Sequence, residues 1–271
     1  MRSGAKSFGK LLQQRVAGGG LQALQCLDYA SEIIVFGSMS AGLERPDSDM
    51  DVLCIGGREY KLKSRLLDLI VVPLDSTRNQ SWLQSELATH VCEYGTWIKG
   101  TPIWKDDVRI GLRAVDEKHH RVSAFVRSLQ NSWFKLEECF RVKYSVKLRR
   151  ETQRLILLER NVAIPPTRIL DYAWPSIAGT SRDVCCRLRQ LATAAHDSFV
   201  DDLLGRVHAH VEANQVPLER LPRICPDIRL TPTLSKVPSP VDPSTTVGMT
   251  GGERQKRSRR ECKNRHPGRL F

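Results

Sequence analysis

Residues 36–51 read FGSMSAGLERPDSDMD, a Gly-Ser pair followed eleven residues later by Asp49 and Asp51. If this second segment is a β-strand, residues two apart point to one side, and the two carboxylates stand about 7 Å apart along the chain. Left alone, carboxylates that close raise one another's pKa and oppose folding. A divalent cation removes the conflict. Hard oxygen donors favour Mg²⁺, an ion commonly shared between protein carboxylates and substrate phosphates.

A third carboxylate, Asp68, lies in the apolar run RLLDLIVVP between Leu67 and Leu69. Alternation along a strand turns it to the side opposite those leucines. If the strands carrying residues 51 and 68 are neighbours, Asp49, Asp51 and Asp68 converge on one patch. Such a patch suits a two-metal site, where one ion activates a hydroxyl and the other neutralises the phosphates of the leaving group. Gly37-Ser38 ends the preceding strand where backbone N–H groups and a hydroxyl can face a phosphate, and a helix starting near Ser40 would add its positive end.

These side chains need a sheet to hold them. EIIVFG is β-branched and closes on Gly, which predicts a buried strand over 32–36 and a tight turn. DMDVLCI (49–55) and residues 65–73, stopped by Pro73, predict two more strands in the same sheet. GGREYKLKSR reads as a turn with polar flanks. Upstream, residues 11–29 suggest one helix, or two broken at Gly18-Gly19-Gly20. After an irregular stretch with Trp82, Trp97 and Trp104, one long helical pattern runs from about Glu117 to Pro165-Pro166. Further helices are expected near 181–195 and 197–213. This predicts an α+β chain: residues 1–112 around a mixed sheet with flanking helices, 113–216 as a helical bundle, and 217–271 as a Pro-rich, basic, disordered tail.

Gly37-Ser38, then Ser48-Asp49-Met50-Asp51, then Asp68 resembles the signature of the DNA polymerase β-like nucleotidyltransferase superfamily. The resemblance covers about residues 30–75, with a looser similarity to small bacterial nucleotidyltransferase-domain proteins through SELATHVCEYGTWIKG. It implies a metal-dependent transfer of NMP, AMP above all, from an NTP to a hydroxyl acceptor with release of pyrophosphate. Under it Gly37 and Ser38 hold the triphosphate, Asp49 and Asp51 bind Mg²⁺, and Asp68 serves as general base or second metal ligand. Ser48 and Arg45 join the nucleotide-binding set. Ala41 stands where many minimal members have Arg, and Arg45, Arg58, Lys61 or Lys63 are the candidate replacements. The acceptor could be a small molecule, a protein side chain or an RNA end. The competing reading is an inactive module of this fold that binds RNA or a partner protein, such as an antitoxin-like component.

The formal net charge is +12, and residues 253–271 carry half of it, with eight Lys/Arg against Glu253 and Glu261. The remainder suits a nucleotide as well as a nucleic acid, which the basic helices and tail could contact. The eight cysteines lack the short paired spacings of a zinc or redox motif and read as reduced thiols. No apolar run approaches a membrane span or a signal sequence, which implies a soluble, cytoplasmic protein with no membrane partner. His119-His120 read as a solvated helix start, and the tryptophans as core or domain-interface residues rather than a base-stacking platform. Lys143, Lys147, Arg149, Arg150 and Arg154 read as a solvated helix face or a polyanion groove. Arg189 and His196 weakly resemble the Arg/His spacing of HEPN-type ribonucleases.

Overall fold

The computed structural model describes residues 2–17, 21–45, 48–172, 181–192 and 197–214. The elements run α1 (Arg2–Ala17), α2 (Leu21–Tyr29), β1 (Glu32–Phe36), α3 (Gly37–Ser40), β2 (Met50–Ile55), β3 (Tyr60–Lys63) and β4 (Leu67–Val72). They continue with α4 (Gln80–Leu83), α5 (Glu86–Tyr94), β5 (Thr96–Lys99), α6 (Leu112–Gln130), α7 (Glu138–Glu159), α8 (Thr167–Tyr172), α9 (Ser181–Leu191) and α10 (Asp197–Asn214).

The strands form one mixed sheet in the order β3-β4-β2-β1-β5. β2 and β4 are parallel, and the remaining pairs are antiparallel. Period-2 alternation sorts the side chains to two faces. Met50, Val52, Cys54, Leu67, Leu69 and Val71 are buried under Phe8, Leu12, Val16 and Ala23 from α1 and α2. Ile34, Phe36, Leu53 and Ile55 point the other way, against Trp82, Leu83, Ala88, Val91 and Trp104. Each fully buried Val or Leu here contributes about 1.5–3 kcal/mol, enough that a one-residue slip of β2 or β4 is strongly disfavoured. Register is therefore fixed where the carboxylates stand.

The helices from α6 onward share a separate core around Val122, Trp133, Leu157, Leu188 and Leu203, which Ala41, Leu43 and Tyr94 join from the sheet side. The single long helix expected over 117–165 is two helices. The chain leaves α6 at Asn131 and turns through Trp133–Lys135 before α7. Trp133 is wholly buried, and its Nε1 donates to Asp202 of α10 at 2.7 Å, so the turn is anchored by a side chain whose apolar spacing still matched the helical period.

Other expectations need correcting. Tyr60–Lys63 is an edge strand with Tyr60 and Leu62 half-buried and Lys61 and Lys63 exposed. Exposed lysines discourage further pairing at such an edge, and in sequence they disguise the strand as a turn. The stretch around the tryptophans is ordered into α4, α5 and β5. Trp97 and Trp104 each donate Nε1 to the Glu32 carboxylate, at 3.0 and 3.2 Å, and act as core and not as a stacking platform. No helix starts at Ser40; the four-residue α3 begins at Gly37, directly after β1. His119 and His120 are exposed, as expected, but lie inside α6 and not at its start. The expected tail lies outside the described residues. Among the described residues no helix is long and apolar enough to cross a membrane, and the cysteines are free thiols.

Candidate active site

β1 and β2 pair so that Phe36 faces Asp51, and the parallel β2–β4 register puts Asp51 beside Asp68. Cross-strand partners share a face, so the trio forms on the side opposite Leu67 and Leu69. Asp49, Asp51 and Asp68 each offer a carboxylate oxygen, and the three oxygens lie within 4.8 Å of one another. Gly37 has φ +70°, and a Cβ built there would overlap Asp51 Oδ2. Glycine is required at this position twice over, for its backbone angle and for the carboxylate packed on it.

Two contacts brace the trio. Arg15, in the last turn of α1, donates Nη1 to the carbonyls of Ser48 at 2.7 Å and Leu66 at 2.9 Å, tying together the backbone just before Asp49 and just before Asp68. Lys63 Nζ lies 2.8 Å from Asp68 Oδ2, and that bond and charge raise the lysine's pKa. The spacing of residues 36–68 gave no hint of Arg15; its place at the basic C-terminus of a helix was the only available signal.

The electrostatics favour a cation. Burial first, then the charges of Asp49 and Asp68, push Asp51 up to about 7, with Lys63 acting in the opposite direction. Asp68 Oδ1 is buried and has no hydrogen-bond partner among the described residues. An orphaned carboxylate oxygen beside two more carboxylates is a donor set that fits a divalent cation, which would supply the missing partner and relieve the repulsion.

A cavity of about 640 Å³ opens against this site, a volume in the ordinary range for small-ligand pockets. Phe36, Gly37, Ser38, Asp49 and Asp51 line one side. The rest of the lining comes from elements further along the chain: Glu86 and His90 of α5, Glu117 and Arg121 of α6, Arg154 of α7, and the segment 164–168. Asp68, Ser48 and Arg45 do not line it. Ser48 Oγ accepts the Arg45 backbone N–H at 2.8 Å and closes the local turn, while the Arg45 side chain is exposed.

Ala41 is buried against the helical core, so a long side chain could not be accommodated there unchanged. None of Arg45, Arg58, Lys61 or Lys63 takes over on the cavity surface. The cations that do face it are Arg121, Arg154 and Arg168. Arg168 Nη1 also donates to the Leu43 carbonyl at 2.6 Å, and so ties α8 to the loop after α3. The reading of residues 143–154 as a solvated face therefore fails at its C-terminal end. Arg149 is fully buried and paired with Asp171, Arg150 pairs with the same carboxylate, and Arg154 bonds Glu151 and Thr167. Arg189 pairs with Asp201, and His196 lies outside the described residues.

A buried charge cluster holds the far wall. Lys118, 1% exposed, lies 2.7 Å from Glu86 and 2.8 Å from Glu151, joining α5, α6 and α7. Arg121 adds a 3.1 Å contact to Glu86. Losing the shared ammonium would leave Glu86 to Arg121 and Glu151 to Arg154 and remove the one buried charge that joins the three helices.

In comparisons with known proteins, residues 21–93 match the family model described as "Nucleotidyltransferase domain", a span that contains Gly37, Ser38 and all three aspartates. No curated protein matches the chain. With the Gly-Ser turn, the Asp51–Asp68 register pair and Asp49 beside them all inside the matched span, residues 21–93 constitute a nucleotidyltransferase domain.

Proposed function

We propose that the protein is a metal-dependent nucleotidyltransferase that moves an NMP group, AMP above all, from an NTP to a hydroxyl acceptor and releases pyrophosphate. The convergence of three carboxylates with oxygens within 4.8 Å, with Asp68 Oδ1 left orphaned, beside a cavity lined by Gly37 and Ser38, carries this reading. Asp49, Asp51 and Asp68 would hold Mg²⁺. When bound, the ion neutralises the triphosphate and makes pyrophosphate a better leaving group.

The chain's own groups do the rest. Ser38 and the backbone of the Gly37 turn meet the phosphates, and Arg121, Arg154 and Arg168 face them across the cavity. Asp68 completes the donor set and is the carboxylate that takes the acceptor's proton. Catalysis of this kind is chiefly positioning and charge neutralisation. The acceptor is a small molecule, a protein side chain or an RNA end, and the proposed setting is the cytoplasm.

Thermal denaturation with Mg²⁺ and ATP tests the site before any acceptor is known. Wild type should gain more stability from metal and nucleotide together than from either alone, and Asp49→Asn should lose that gain. A response identical in the variant would refute the site and favour an inactive binding module. Transfer of label from α-labelled ATP to candidate acceptors then tests the chemistry.

A further inference from the structure

His90 lines the cavity, and the reaction above leaves it without a task. It lies on α5, capped by Ser85, whose side chain accepts the Ala88 N–H. Its ring is fixed on three sides. Phe36 meets it edge-on at 5.8 Å between centroids, Tyr94 lies at 5.4 Å with a 33° tilt, and Nδ1 is 2.6 Å from the Ile164 carbonyl. A carbonyl can only accept, so Nδ1 carries the hydrogen and Nε2 keeps its lone pair. Nε2 makes no hydrogen bond to the described residues and is not among the buried unpartnered atoms, so it opens on the cavity that the ring lines.

The surroundings of His90 differ from the rest of the cavity. Gly37, Ser38, Asp49 and Asp51 make one region polar and suited to metal and phosphates, whereas Phe36, Leu87, Ile164, Pro165 and Pro166 supply flat apolar surface. A nucleotide has the same division between triphosphate and base. Gly37 and Ser38, which meet the phosphates in the proposed reaction, line this cavity, which makes it the space of the donor nucleotide.

We propose that this apolar end is the nucleobase subsite and that His90 Nε2 accepts a hydrogen bond from an amino group on the base edge, selecting amino-bearing bases over those lacking the group. The inference rests on the nucleotidyltransferase reading and adds to it a choice among nucleotides. A protonated ring would turn Nε2 into a donor and abolish the selection. Burial foremost, with the Arg154 charge from α7, holds the His90 pKa below the ordinary histidine value, against the opposing pull of the Ile164 carbonyl and of Glu86 on α5. The neutral form is thus the one present at neutral pH.

The test is direct binding to the full chain at pH 7.5 with Mg²⁺. It compares ATP with purine riboside triphosphate, which is ATP without its 6-amino group, and CTP with UTP. One neutral hydrogen bond corresponds to about a tenfold difference in affinity. The amino-bearing member of at least one pair should bind about tenfold tighter. In His90→Asn, whose amide can replace Nδ1 toward Ile164 but cannot reach as Nε2 does, that difference should vanish while the weaker ligand binds as before. His90→Gln, which restores an acceptor near Nε2, should recover part of it.

Equal affinities within both pairs for wild type would overturn the inference and leave the reaction standing, since Mg²⁺-dependent binding lost in Asp49→Asn is measured in the same experiment. Equal weakening of every nucleotide in His90→Asn, with lowered thermal stability, would assign His90 a structural role and overturn it as well. Absence of Mg²⁺-dependent binding by any nucleotide would refute the reaction and, with it, the subsite.

Discussion

Replacing Asp51 by Asn should stabilise the metal-free protein at alkaline pH, although it removes the central ligand of the site. Asp51 has its pKa raised from 3.8 to about 7 by burial and by its two acidic neighbours. Three units correspond to about 4 kcal/mol. Because the folded-state value is the higher one, the fold favours protonated Asp51. That contribution is complete below the unfolded-state value and is lost as pH rises through about 7. At pH 8 the wild type therefore carries the whole penalty and Asp51→Asn carries none; at pH 4 the two should unfold alike.

For a chain of this size, 4 kcal/mol amounts to a Tm difference on the order of 10 °C. The assay is thermal or urea denaturation of both proteins in EDTA from pH 4 to 8.5. Other groups titrate in both, so the gap between the curves isolates residue 51. Adding Mg²⁺ should close the gap from the wild-type side only. A gap independent of pH, or a variant less stable than wild type at pH 8, would refute the account of a repelling, desolvated carboxylate cluster.

Gly37→Ala should cost at least about 1 kcal/mol from the positive φ alone and also push the Asp51 carboxylate aside, which differential scanning fluorimetry with and without Mg²⁺-ATP would show as lower stability and a reduced ligand response. Arg15→Gln removes two charge-assisted bonds to the Ser48 and Leu66 carbonyls; a loss of about 1–3 kcal/mol in urea unfolding and weaker Mg²⁺ binding by calorimetry are expected. Lys118→Met should destabilise by about 1–3 kcal/mol, because Glu86 keeps Arg121 and Glu151 keeps Arg154 while both lose the buried ammonium, and the double variant Lys118→Met/Glu151→Gln should recover part of that loss in the same denaturation assay.

The acidic trio was readable because its cause is local. A β-branched run ending in Gly37-Ser38, two aspartates two apart, and an aspartate between leucines each state which way a strand's side chains point. The sheet confirms them, since Asp51 and Asp68 are register partners on the face opposite Leu67 and Leu69. β3 escaped notice because four residues carry too little alternation to outweigh two lysines. The turn at Trp133 escaped because a core residue at helical spacing looks the same whether or not the helix continues through it. Arg154 looked like a solvated charge because the sequence cannot show that Thr167 stands beside it and that the cavity opens against it.

Taken alone, then, the sequence determined which residues could bind a cation and that a strand pair would hold them, because strand periodicity depends on neighbours a few positions apart. Only the tertiary structure decided what faces them. The burial of five helices around their own core, braced by Lys118 between two glutamates, brings Arg121, Arg154 and Arg168 to the cavity that Asp49 and Asp51 line. That meeting depends on the packing of surfaces up to more than a hundred residues apart in the chain, and no spacing within a single element records it.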